Sequence, residues 1–187
     1  MSKREIEDYQ IESFRESRIY PLMPLLRKGV FHRTGIEGYK GIRQTGNILP
    51  NKGNFPFSYP QSEKYYGYSM GYICLFDFEA AREEDYRGNY HLWADFFYDH
   101  KPKTVILKLN RQKLADKLIP NSARPKNGEV GYKPAIAYVE VWYPVAIPVS
   151  AIDSYIVTWL DSKTHKLVFQ EYSKEQTKEF EKLIFSG

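Results

Sequence analysis

The sequence predicts a single α+β domain with a β-rich centre and flanking helices. Three observations predict it. Short apolar runs at 71–78, 104–109, 135–142 and 155–160 have the length and the β-branched and aromatic content of buried strands. Apolar residues at helical spacing mark both ends of the chain: Ile6, Tyr9, Ile11 and Phe14 near the start, Phe180, Leu183 and Ile184 near the finish. No repeat, low-complexity tract or linker divides the 187 residues, so one domain spanning 1–187 is expected.

The elements follow in order. The first thirty residues read as helix, stopped by Pro21 and Pro24. Gly29 to Thr34 reads as a short strand. Glu37 to Gln44 forms a helix with Tyr39 and Ile42 inward, closed by Gly46 as the residue just past its end. Asn47 to Pro50 is extended. Asn51 to Met70 is a long polar and aromatic loop, and loops of that length within a compact domain are often functional. Gly71 to Phe78 is a buried strand. Glu79 to Arg87 opens a helix or an irregular segment, and Trp93, Phe96 and Phe97 are expected on the sheet. The strand Thr104–Leu109 leads to a helix from Arg111 to Leu118, capped by Asn110. A Pro/Gly loop at 121–133 precedes the strand Ala135–Trp142. Ile147–Ser150 is extended, Tyr155–Leu160 and Leu167–Phe169 are strands, and Thr177–Phe185 is an amphipathic helix.

Composition narrows the function classes. Apolar residues at 42% and charged residues at 27% exclude a disordered chain. Cys74 is the only cysteine, which excludes an intrachain disulfide and fits a reducing compartment. The charged start lacks the apolar core of a signal peptide, and no run reaches the length of a membrane span, so a cytoplasmic protein is expected. One Cys and four His give no metal-ligand spacing, so no metal is expected. Gly35, Gly38 and Gly41 lie three apart in a helical context and do not form a dinucleotide fingerprint. The net charge of +4 permits a nucleic-acid partner and suits a pyrophosphate without demanding either. The sixteen Tyr suit flat polar ligands or a core edge.

Three segments carry candidate chemistry. Phe31-His32-Arg33-Thr34 is a polar cluster ending a strand. His32 and Arg33 are adjacent, so their side chains point to opposite faces and only one can enter a given cleft. Tyr65 to Gly71, with Tyr66, Tyr68 and Ser69, leads into the strongest strand. Ala137 to Pro144 is a strand on which Ile136, Tyr138, Glu140 and Trp142 share a face. A carboxylate among such neighbours is paired, at an edge, or functional.

Taken in order, these segments resemble the ADP-ribosyltransferase superfamily. Phe-His-Arg-Thr followed by Ile-Glu-Gly-Tyr-Lys-Gly-Ile-Arg-Gln-Thr-Gly-Asn-Ile-Leu-Pro-Asn is similar to the family's opening strand, helix and turn, where a His or Arg grips NAD+. Val-Glu-Val-Trp-Tyr-Pro-Val-Ala-Ile-Pro-Val-Ser-Ala-Ile is similar to its catalytic-glutamate strand and the segment after it. The likeness spans roughly residues 30 to 157. The middle motif, a Ser-Thr-Ser or a Tyr on a helix, has no clean match, and Tyr66, Tyr68 and Ser69 are the candidates. The overall look is nearest to bacterial toxin-type and DNA- or RNA-modifying members.

The resemblance implies a split β-sheet core and NAD+ as co-substrate. It implies Glu140 as the catalytic carboxylate, His32, Arg33 and Thr34 at the dinucleotide, Arg43 as a second phosphate contact, and a Tyr ring on nicotinamide. It implies a toxin or defence enzyme whose acceptor is nucleic acid, with an antitoxin as a candidate partner. The basic loop Arg124-Pro125-Lys126 and the aromatic content favour that acceptor. A protein acceptor, a non-catalytic nucleotide-binding member of the same fold, and an NAD+-using RNA 2′-phosphotransferase remain as alternatives.

Overall fold

In a computed structural model of the chain, residues 20–52, 66–82, 102–123, 139–164 and 166–185 are described. The helix expected before Tyr20, the aromatic cluster Trp93, Phe96 and Phe97, and the basic loop 124–126 lie outside them.

Helix α1 is Met23–Leu26, strand β1 Val30–Gly35, helix α2 Ile36–Thr45 and strand β2 Asn47–Ile48. Pro24 does not stop a helix here; it sits in the first turn of α1, where its missing N–H has no intrahelical role. Gly46 closes α2 at φ 67, in the left-handed region that favours glycine, as the sequence predicts. Helix α3 is Tyr66–Ser69, inside the stretch read as loop. Its end is a Schellman turn. Tyr72 N–H donates to Gly67 O at 2.7 Å, Gly71 N–H donates to Tyr68 O at 2.9 Å, and Gly71 takes φ 66.

Strand β3 is Ile73–Asp77, β4 Thr104–Leu109, and helix α4 Arg111–Leu114. Asn110 caps α4 by accepting the Lys113 N–H. Strand β5 is Glu140–Tyr143, β6 Ile147–Pro148, β7 Ile152–Leu160 and β8 Leu167–Ser173. Helix α5, Thr177–Phe185, buries Phe180 and Ile184 as its periodicity predicts.

The architecture is α+β. Six strands form one sheet in the order β5-β3-β1-β4-β7-β8, each neighbouring pair antiparallel, and β2 pairs with β6 separately. The large sheet buries both faces. One face carries Val30, Leu75, Leu107, Val141 and Val157 and packs on α2 and α5 through Tyr39, Ile42, Phe180 and Ile184. The other carries Phe31, Phe76, Ile106 and Ile156 and packs on α1 through Met23 and Leu26. Each such side chain contributes about 1.5–3 kcal/mol by leaving water.

The ladder between β1 and β3 is short. Those strands pair only at Val30↔Asp77 and Phe31↔Phe76, whereas β1 and β4 pair along all six residues. Past Phe31 the β3 carbonyls need other partners. His32 supplies one, its Nδ1 lying 3.2 Å from Cys74 O.

Candidate functional site

Strand register sorts the polar residues by face. Arg33 stands opposite Ile106, a member of the α1-side cluster. Glu140 stands opposite Phe76, a member of the same cluster. Arg33 and Glu140 therefore share one face of the sheet, with β3 alone between their strands. Two strand spacings and one two-residue step separate their backbones by roughly 12 Å. His32 and Thr34, opposite Leu107 and Val105, point to the other face.

Around Glu140 the side chains are close-packed. The residue is 1% exposed. Trp142, two residues on and on the same face, donates its indole N–H to Glu140 Oε1 at 3.1 Å. Cys74, paired with Trp142 across β5 and β3, hydrogen-bonds the same carboxylate through its thiol. Burial, the Glu140 charge and that hydrogen bond, in this order, push the thiol well above its usual pKa, so it is a neutral donor. Helix α3 lies over this group. A methyl on Gly67 would overlap Cys74 Sγ and come within 2.6 Å of Trp142 Cδ1, so only glycine permits the approach. Tyr66 meets the Trp142 indole edge-on at 4.7 Å between ring centroids.

The remaining candidates are accounted for by their surroundings. Thr34 lies beneath α2, where a methyl on Gly38 would overlap its Oγ1. The His32 pKa falls to about 4: burial lowers it most, the Cys74 carbonyl opposes that, and the Arg33 charge adds to the lowering. His32 is neutral at physiological pH and, facing a carbonyl that can only accept, carries its proton on Nδ1. Arg43 lies on α2, across the sheet from Glu140, and pairs with Glu181 at 2.7 Å. The same Glu181 oxygen accepts from Tyr39 Oη at 2.9 Å, which joins α2 to α5. Ser69 Oγ bonds back to Tyr66 O at 2.9 Å within its own helix turn. Tyr68 is half-buried on α3. Ile136 and Tyr138 lie outside the described residues.

Asp77 is the second buried carboxylate among the described residues, and its oxygens are engaged. Arg111 donates Nε and an Nη to Oδ2 at 3.2 and 3.1 Å, and Ala80 N–H donates to Oδ1 at 2.9 Å. Asp77 is on the α2 side of the sheet and acts as a brace between β3 and α4.

The sequence puts Trp142 on the Glu140 face and leaves Cys74 and Gly67 unmarked as neighbours of that carboxylate. For Trp142 the signal was present: the two-residue spacing from Glu140 puts both on one face. For Gly67 and Cys74 the contact depends on how α3 folds back on β3, which the Gly71 punctuation hints at without fixing. No group of three His, Cys, Asp or Glu side chains suited to a metal ion occurs among the described residues. No helix among them is long and apolar enough to cross a membrane. The chain matches no known protein family, no curated protein and no solved structure.

Proposed function

We propose that the chain is an NAD+-dependent ADP-ribosyltransferase with Glu140 as its catalytic carboxylate and Arg33 as the dinucleotide-holding cation. The observation that carries this reading is the convergence of three separated segments. The strands bearing Arg33 and Glu140 flank β3, their side chains share a face, and α3 lays Tyr66 over the same face. The β1–β3 ladder also ends at Phe31, two residues before Arg33, which supports a split sheet of the kind the family resemblance implies.

The chemistry follows from the residue types. Opening the nicotinamide–ribose bond builds positive charge on the sugar. A fixed carboxylate beside that sugar favours the transition state over the ground state. A guanidinium holds a pyrophosphate through its paired N–H groups. In this reading the register selects Arg33 over its neighbour His32, which is neutral and turned to the opposite face. The reading carries a requirement. Glu140 is 1% exposed, so the side chains packed over its carboxylate must move aside for a ribose to reach it.

The acceptor we favour is nucleic acid, on the net charge of +4 and the aromatic content, as in a toxin or defence enzyme. The burial of Glu140 favours a second reading, in which its carboxylate only braces Trp142 and Cys74 in a non-catalytic nucleotide-binding domain. One experiment separates them. The purified chain is incubated with whole-cell extract and NAD+ labelled in its adenylate half. Label on RNA or DNA, lost in Glu140→Gln, is the expected result. Label on protein alone would replace the nucleic-acid acceptor with a protein one. No labelled acceptor, with NAD+ left intact, would refute the enzyme reading.

A further inference from the structure

We propose that Trp142 is a positioning residue for Glu140, its indole N–H fixing the orientation of the carboxylate that acts on the ribose. This rests on the enzyme reading above.

The geometry has three parts. The indole N–H reaches Glu140 Oε1 at 3.1 Å inside a buried cluster, where a hydrogen bond to a carboxylate is strong and directional. Trp142 itself is 0% exposed, so its ring is held by packing instead of by the bond. Three contacts hold it: Tyr66 edge-on at 4.7 Å, the bare backbone of Gly67, and a backbone pair in which Ile119 and Trp142 exchange N–H···O bonds of 2.8 and 3.0 Å. A side chain fixed on several sides can impose its orientation on a flexible carboxylate two residues away. Without the N–H, the Glu140 carboxylate loses its set direction. The consequence falls on the transition state, where alignment counts, more than on the binding of NAD+.

Trp142→Phe keeps an aromatic ring against Tyr66 and removes the donor. Replacement by 3-benzothienylalanine keeps the bicyclic shape as well, so a folding defect in the phenylalanine variant leaves a second probe. The expected result is a kcat for nicotinamide release lowered about 10- to 100-fold with KM for NAD+ within about 3-fold of wild type, in the range seen when a residue that orients an active group is lost. The Trp142 indole N–H resonance is expected to move in Glu140→Gln, with that of Trp159 unchanged. An active wild type with an equally active, folded benzothienyl variant would overturn the positioning role alone. A KM increase with kcat unchanged would also overturn it. A wild type that releases no nicotinamide would overturn both the enzyme reading and this role.

Discussion

His32 is expected to make the fold acid-sensitive in a way that a single substitution removes. Its half-buried ring lies against the Cys74 carbonyl and beside the Arg33 charge, and its pKa falls from 6.5 to about 4. In the unfolded chain the ring protonates near 6.5. Above that pH both states are neutral and the stabilisation is fully present. As the pH falls from 6.5 toward 4 the unfolded state takes up the proton first and stability drops. Below about 4 the native ring protonates too and the loss is complete. A fall of that size, at about 1.4 kcal/mol per pH unit, amounts to at most about 3 kcal/mol, because His32 keeps some solvent contact. The perturbation is His32→Asn, whose amide can still donate to the carbonyl and cannot titrate. The assay is urea unfolding of both proteins at pH 7.5, 6, 5 and 4.5. The difference in stability between wild type and variant should shrink, or reverse in the variant's favour, steadily below pH 6.5. A difference that stays constant from pH 7.5 to 4.5 would refute the half-buried, neutral His32.

Three other outcomes follow from the same contacts. Gly67→Ala should cost about 1–3 kcal/mol in thermal or urea unfolding, since its methyl has no room against Cys74 and Trp142, and an unchanged stability would mean that α3 does not lie there. Arg43→Ala should cost less than about 1 kcal/mol, because its pair with Glu181 is half-exposed, and leave KM for NAD+ unchanged, whereas Arg33→Gln should raise that KM at least 10-fold; equal effects from the two arginines would contradict the face assignment. Cys74 should react with a disulfide reagent at pH 8 far more slowly than a free thiol, and faster in Glu140→Gln, where one of the causes that raise its pKa is gone; a rate like that of a free thiol would contradict the raised pKa and the bond to Glu140.

The sequence carried the large-scale fold because its strongest signals are local. The runs Ile73–Asp77 and Thr104–Leu109 are strands, Gly46 and Asn110 are caps, and Thr177–Phe185 is an amphipathic helix, each set by propensity or periodicity within a few residues. The misreadings lie where a tertiary contact decides. Tyr66–Ser69 folds as a helical turn because Gly71 closes it and Gly67 seats it on Cys74 and Trp142. Pro24 starts a helix because Met23 and Leu26 have a core to enter. At the candidate site, alternation along β1 separates His32 from Arg33, and only pairing through β3 tells which of them faces Glu140. The ion pair that occupies Arg43 joins residues 138 positions apart, and no local pattern announces it.

The central claim is that the Glu140 carboxylate acts on the nicotinamide–ribose bond. The direct measurement is nicotinamide release from NAD+ by purified wild type and by Glu140→Gln, with circular dichroism showing both folded. Wild-type turnover, with a loss on the order of 10²–10³ in the variant, is the predicted result. Equal rates in the two proteins, or no release by the folded wild type, would contradict it.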